Sequence, residues 1–146
     1  MPPFNPKNYI VQAIYRRSKC DYLTDAGCEA LKVKSMTGQT QWSERLRGCD
    51  CIIHLAAIAH KKGIMNNPEE YRVVNVESVL NLATQAADAG VSRFIFISSV
   101  GVNGNKTLHN PFSESDAPNP SSVYAIAKYH AEMDCKRLLQ EWGWRL

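Results

Sequence analysis

The sequence predicts an α/β fold built on a parallel sheet, because short apolar runs alternate along the chain with segments of helical period. Two of these runs, Cys51–Leu55 and Phe94–Ile97, are continuous and of strand length, which is typical of strands buried on both faces. Each is followed by a segment with helical spacing, Asn67–Ala89 and Val123–Trp142. This order implies right-handed crossovers, so ligands are expected beyond the carboxyl ends of the strands.

The first part of the chain predicts two shorter strands and a short helix. Tyr9–Tyr15 is apolar and rich in residues that favour strands, and Leu31–Val33 predicts a second strand. Gly38–Thr40 is expected to be a loop. Trp42–Arg47 predicts a helix that Gly48 ends.

The two long helices have recognisable ends. Pro68 fits the first turn of one helix and Gly90 fits its carboxyl end. Ser121 or Ser122 is expected to cap the other helix. The apolar positions that recur with helical period in the first of these helices are Tyr71, Val74, Leu80, Ala83 and Ala87.

Composition is that of an ordinary soluble protein, and we interpret residues 1–146 as one domain. A net charge of +3 without a long basic run argues against nucleic acid as a partner. No apolar stretch approaches membrane-spanning length, and the amino terminus lacks the apolar segment of a secretory signal, so we expect a cytoplasmic protein. Five cysteines, an odd number with irregular spacing, indicate a reduced protein.

Cys49, Cys51 and His54 have side chains of metal-binding type. Cys51 and His54 are three positions apart, so on a strand their side chains point to opposite faces. We therefore expect no metal site and interpret the cysteines as small buried side chains.

The stretch from Phe94 to Lys128 carries the candidate chemistry. Its strand ends at two hydroxyls, Ser98 and Ser99, and Tyr124 and Lys128 lie four positions apart on one face of the next helix. A free tyrosine has a pKa near 10, and a neighbouring ammonium lowers that pKa, so this pair predicts a general acid/base. A Tyr-x-x-x-Lys pair is also common in helices where the two residues only share a face.

With its flanking motifs, this stretch resembles the extended short-chain dehydrogenase/reductase family, and within it the nucleotide-sugar epimerases, dehydratases and reductases. The resemblance runs from about Tyr9 to Leu146. Its motifs are IIHLAA at 52–57, YRVVNVESVLNLATQAADAGVSRFIFISS at 71–99 and PSSVYAIAKYHAE at 120–132. It implies a Rossmann-like doubly wound parallel sheet and an activity like that of UDP-glucose/galactose 4-epimerase.

The resemblance also implies roles for three matching residues. Ser99 would orient the sugar hydroxyl, and Tyr124 would pass its proton while the cofactor carries the hydride. Lys128 would hold the nicotinamide ribose and lower the pKa of Tyr124.

The cofactor implied is NAD or NADP. The residues implied to line its path, besides Tyr124 and Lys128, are Leu55, Ala56, Ala57 and Ser98. Asn75 matches a family asparagine near the cofactor, and without the resemblance it reads as an exposed polar residue of a helix. Arg16 lies where the family binds the adenosine ribose and favours NADP without excluding NAD. An exposed charge at a strand end is nearly as good an interpretation of Arg16.

The sequence departs from the family at both ends. Members begin with a strand and a G-x-x-G-x-x-G loop that binds the pyrophosphate, and none of the eight glycines here forms that motif. We therefore expect an incomplete sheet that lacks its first strand and Gly-rich loop, with most of the UDP-sugar region also missing. The first strand is central in a 3-2-1-4-5 sheet. Either Tyr9–Tyr15 pairs beside Cys51–Leu55 to close the gap, or a second copy donates a strand, so a homo-oligomer is expected.

Three interpretations stay open. The first is an NAD(P)-dependent nucleotide-sugar epimerase, dehydratase or 4-ketoreductase. The second is a non-catalytic remnant or oligomerising fragment of such an enzyme, for which cofactor binding is doubtful. The third is a protein-interaction module that uses an uncovered sheet edge.

Overall fold

A computed structural model of the chain describes residues 9–16, 28–59, 67–107 and 110–142. The chain divides into two compact units, Met1–Met36 and Thr37–Leu146. The interpretation of residues 1–146 as one domain stays a prediction. Among the described residues, no helix combines the length and the apolar character that crossing a membrane requires.

The first unit contains two parallel strands, β1 (Gln12–Tyr15) and β2 (Glu29–Lys32). Both were predicted, but β1 begins three residues after Tyr9 and β2 begins two residues before Leu31. In the described part of the chain β1 pairs only with β2 and β3 only with β4. The pairing of Tyr9–Tyr15 with Cys51–Leu55, one of the two alternatives for closing the gap, is therefore not formed.

The second unit is a strand–helix–strand unit followed by a long helix. β3 (Cys51–His54) and β4 (Arg93–Phe96) pair in parallel, with Cys51 opposite Arg93 and His54 opposite Phe96. The parallel pairing confirms the predicted α/β fold. The helices are α1 (Ser43–Leu46), α2 (Pro68–Arg72), α3 (Ser78–Asp88) and α4 (Val123–Trp142), with a π turn at Val73–Glu77 and a 3-10 turn at Val100–Val102.

The helix ends follow the signals in the sequence. Pro68 is in the first turn of α2, and Gly90 has a φ of +75°, the left-handed conformation that glycine adopts readily after a helix. Ser122, rather than Ser121, caps α4, because its Oγ accepts a hydrogen bond of 3.1 Å from the Ala125 N–H.

Helices cover one face of the β3–β4 sheet. A cavity of about 200 Å³ is lined by Ala83 of α3, Cys135 of α4, and Phe94 and Phe96 of β4. On the opposite face Ile53 and Ile95 are each more than a third exposed. The prediction that both strands are buried on both faces is therefore wrong, because only one face has described helices against it.

Candidate active site

The two serines after β4 have different surroundings. Ser99 Oγ accepts a hydrogen bond of 3.2 Å from the Gly101 N–H and so caps the 3-10 turn. Ser98 Oγ is buried and has no hydrogen-bond partner among the described residues, and Ser98 lines the cavity between α3 and α4. Ser99 is thus fixed at the end of the strand, whereas Ser98 lies on the helix-covered side.

Gly101 brings this turn against the start of α4. A Cβ atom at Gly101 would lie 3.4 Å from Ser99 Oγ and 3.5 Å from the Ala125 Cβ. Gly101 therefore lies between Ser99 and the turn of α4 that carries Tyr124. Gly101 was not among the predicted site residues, since a glycine in a polar loop has no signal of its own. The loop is tied back by the Asn119 N–H, which donates to the Val102 carbonyl at 2.9 Å.

Tyr124 is half-buried in the first turn of α4. It packs against a buried apolar cluster that includes Ile58, Tyr71 and Ala127. The cluster fixes the ring of Tyr124 in the same turn of α4 that contacts Gly101.

Lys128 is almost fully buried, with 2% of its surface exposed. Its Nζ donates a hydrogen bond of 2.8 Å to the Ile97 carbonyl and lies 4.4 Å from the centroid of the Phe96 ring. Burial lowers the pKa of Lys128, and the fields of Glu132 and Cys135 act in the opposite direction. The ammonium is thus held at the carboxyl end of β4 by a carbonyl and an aromatic face.

His54, which was not among the predicted site residues, lies against Phe96, the ring that also contacts Lys128. Its ring centroid is 5.8 Å from that of Phe96 and 6.4 Å from that of Phe94. Burial, and then the charge of Lys128, lower the pKa of His54 to about 4. Because His54 is neutral at ordinary pH, Lys128 is the cation of this pair. The sequence did contain a signal for this residue, because His54 interrupts the apolar run at 51–55.

The segment after β3 presents small or exposed side chains. Leu55 and Ala57 are exposed and Ala56 is half-exposed, so a ligand could approach the backbone of this segment. Residues 55–57 include no charged side chain.

Asn75 fixes the backbone of Ile58, the residue that follows Ala57. It is fully buried, its Oδ1 accepts from the Ile58 N–H at 2.8 Å, and its Nδ2 donates to the Ile58 carbonyl at 2.9 Å. The Tyr71 hydroxyl donates to the Ala59 carbonyl at 3.2 Å. The interpretation of Asn75 as an exposed polar residue is therefore wrong, and its amide positions the backbone that follows Ala57.

Arg16 directly follows β1 in the first unit, where it is half-buried. Cys51 is exposed and Cys49 half-buried, so the prediction of small buried side chains is wrong for Cys51. Cys51 and the buried His54 lie on opposite faces of β3, as their spacing predicts. The described residues contain no group of three or more potential metal ligands.

Comparison with known proteins gives a consistent result. Residues 4–146 match the model of the NAD dependent epimerase/dehydratase family. The chain is 37% identical over 142 residues to a UDP-glucose 4-epimerase of Vibrio cholerae, a match that covers 92% of this chain and 40% of that protein. It is 30% identical over 105 residues to a dTDP-glucose 4,6-dehydratase of Mycobacterium tuberculosis, covering 70% of this chain and 31% of that protein.

Solved structures agree in fold. A UDP-glucose 4-epimerase of Thermotoga maritima with UDP-glucose has a TM-score of 0.78 at 28% identity, covering 94% of this chain and 46% of that one. A dTDP-glucose 4,6-dehydratase of Streptomyces venezuelae with NAD has a TM-score of 0.73 at 26% identity, covering 84% of this chain and 38% of that one. The chain therefore spans less than half the length of these proteins.

Proposed function

The chain belongs to the NAD dependent epimerase/dehydratase family, and on this premise we propose that it carries the proton-transfer site of a UDP-glucose/galactose 4-epimerase that uses NAD. The observation that carries the proposal is Lys128. A lysine is rarely buried without a charged partner, because removing an ammonium from water is costly. Within the described chain no carboxylate lies within 4 Å of Lys128 Nζ. A cation kept in this state is more typical of a functional site than of a structural one.

In this proposal each residue has one task. Tyr124 takes the proton of the sugar hydroxyl and returns it, which makes it the general acid/base. Ser99, fixed by Gly101, donates a hydrogen bond to the same sugar oxygen. Lys128 binds the ribose hydroxyls of the cofactor and supplies a positive charge at the carboxyl end of β4.

The described residues fit a nicotinamide dinucleotide at the carboxyl ends of β3 and β4. The accessible backbone of Leu55–Ala57 offers a surface along which the cofactor could lie, and Asn75 holds that backbone in place through Ile58. When bound, NAD supplies the hydride acceptor and donor for the sugar carbon. The relatives solved with NAD favour NAD over NADP.

The test is the variant Tyr124→Phe, with Tyr129→Phe, on the same helix, as its control. We expect Tyr124→Phe to lower the interconversion of UDP-glucose and UDP-galactose by about 10²–10⁴-fold. Its NAD dissociation constant, measured by calorimetry, should change less than about twofold, because the ribose contact is made by Lys128. Unchanged turnover would refute the role of Tyr124. A folded protein that binds no NAD would instead support the interpretation as a non-catalytic remnant.

A second candidate is a nucleotide-sugar 4,6-dehydratase, which the similarity to the Mycobacterium tuberculosis protein favours. Incubation with dTDP-glucose and mass spectrometry separates the two activities. A dehydratase forms a product that has lost one water, whereas an epimerase product has the mass of its substrate.

A further inference from the structure

The Phe96 ring contacts the candidate site at a point to which the proposed function gives no role. Lys128 Nζ lies 4.4 Å from the centroid of this ring, well within the roughly 6 Å over which a cation is attracted to an aromatic face. The same ammonium donates its hydrogen bond of 2.8 Å to the carbonyl of Ile97, the next residue of the chain. Two consecutive residues at the end of β4 therefore hold the Lys128 ammonium by two different contacts.

These contacts stand where a buried lysine usually has a carboxylate. Burial lowers the pKa of Lys128, while the fields of Glu132 and Cys135, further along α4, act in the opposite direction. An aromatic face also favours the ammonium, because its electron-rich surface attracts a cation and not a neutral amine. The charge matters to a ribose contact, since charged donors form stronger hydrogen bonds than neutral ones.

A second aromatic ring fixes the orientation of Phe96. His54 is paired with Phe96 across the two strands, and their ring centroids are 5.8 Å apart with an angle of 33° between the planes. The His54 carbonyl also accepts a hydrogen bond of 3.1 Å from the Ile97 N–H. His54 thus contacts both residues that hold the ammonium. Because its ring is neutral at ordinary pH, it supports Phe96 without repelling Lys128.

We propose that Phe96 is a positioning residue for Lys128, whose ring keeps the buried amine charged and in place for the ribose of the cofactor, with His54 fixing the ring. This role rests on the proposed function, to which the ribose contact belongs. The competing explanation is that Phe96 only fills space, since it lines the cavity between α3 and α4. Space filling depends on the volume of the ring, whereas attraction of a cation depends on its electron density.

Phenylalanine analogues with one, two or three ring fluorines, incorporated at position 96 of the full chain, separate the two explanations. Fluorine withdraws electrons from the ring face and changes the ring volume only slightly, so the attraction to the ammonium weakens stepwise while the packing is kept. We expect the NAD dissociation constant, measured by calorimetry, to rise with each fluorine and to reach about five times the wild-type value with three.

The titration of Lys128 is a second readout, and it needs no cofactor. Carbon-13 NMR of labelled lysine follows the Lys128 Cε, with Lys128→Met to assign the signal. Since the ring favours the ammonium, the pKa of Lys128 should fall with each fluorine. The same series at position 94 is the matched control, because Phe94 lines the same cavity and stacks on His54, whereas the ammonium lies over Phe96. Fluorines at position 94 should change neither quantity.

The support from His54 is tested by removing and restoring its ring. His54→Ala should raise the NAD dissociation constant about threefold, because Phe96 loses its neighbour. His54→Phe, which supplies a ring of similar size, should restore it to within about twofold of the wild-type value. Circular dichroism of each variant confirms folding. A loss that His54→Phe does not restore would overturn the role given to His54.

The role of Phe96 fails if three fluorines at position 96 leave both the pKa of Lys128 and the NAD affinity unchanged. A fall in the pKa with unchanged NAD affinity would equally overturn it as a positioning role, and so would equal effects at positions 94 and 96. A wild-type chain that binds no NAD would instead contradict the proposed function, whereas a pKa that falls along the series would still support the contact between Phe96 and Lys128.

Discussion

Lys128 combines a charge, almost complete burial and neutral partners. The Ile97 carbonyl and the Phe96 ring stabilise its ammonium, but they compensate its desolvation less fully than a carboxylate would. We predict that Lys128→Met, which keeps the volume, leaves the free energy of unfolding unchanged or raises it by about 1–2 kcal/mol. The same change should weaken NAD binding at least tenfold. Urea unfolding and calorimetry measure the two effects.

Lys136→Met, an exposed lysine on the same helix, is the control for Lys128→Met and should change neither quantity. A large loss of stability in Lys128→Met with unaltered NAD affinity would mean that Lys128 is a structural residue and would remove the main support for the proposed site.

His54 predicts a specific acid sensitivity. Its pKa is about 4 when folded against 6.5 as the reference value, so the unfolded chain binds the proton first as the pH falls. The contribution of His54 to stability is complete above pH 6.5 and is lost between pH 6.5 and 4. At pH 5 the loss is about 2 kcal/mol. His54→Phe should remove this loss while keeping the aromatic contacts.

Urea unfolding at pH 7 and pH 5 measures the effect of His54→Phe, and His130→Phe at an exposed position of α4 serves as control. An equal acid-induced loss in wild type and His54→Phe would contradict the assignment.

Residue spacing predicted only part of this site. Tyr124 and Lys128 were paired from their four-residue separation, and Ser99 from its place at a strand end. His54 and Gly101 were not singled out, because their contacts with Phe96 and Ala125 join residues far apart in sequence. The catalytic roles of Ser99, Tyr124 and Lys128 stay predictions.

Among the elements, the π turn is the feature that the sequence pattern missed. The spacing of Tyr71, Val74, Leu80, Ala83 and Ala87 predicted one regular helix. A π turn contains one extra residue, which rotates the helix after it by about 100°. The buried side chains along this stretch therefore include Asn75 and Ser78 in addition to apolar ones. A count of apolar residues does not reveal a single extra residue within a helix.

Asn75 lies within the π turn and is bonded to Ile58, and its removal should be costly. Asn75→Leu would leave the N–H and the carbonyl of Ile58 without partners in the core. We predict a loss of about 2–4 kcal/mol in the free energy of unfolding. Hydrogen exchange of the Ile58 amide should become faster than that of amides within β4.

Ser78→Ala is the matched control for Asn75→Leu, because Ser78 is buried three residues further along, at the start of α3, and its Oγ donates to the Val74 carbonyl at 2.6 Å. It should cost less than about 1 kcal/mol. Equal costs for the two variants would show that the contact with Ile58 has no special importance.

At the scale of the whole molecule, the parallel pairing of strands was predictable and the number of separate sheets was not. Alternating strands and helices imply parallel neighbours, and β1–β2 and β3–β4 are both parallel. Strand propensity does not say how many neighbours each strand has. The described residues form four strands that lie in two separate two-stranded sheets.

The two units should differ in their local stability. The first unit is described by two four-residue strands, whereas the second contains fully buried side chains such as Val79, Ala86 and Ala131. Amide exchange follows local opening, which is easiest where little apolar surface is buried. We predict that amides at 12–15 and 29–32 exchange at least tenfold faster than those at 79–86, measured by mass spectrometry of peptides. Val79→Ala should speed exchange in the second unit by creating a cavity, and leave exchange in the first unit unchanged. Equal acceleration in both units would instead mean that residues 1–146 open as one cooperative domain.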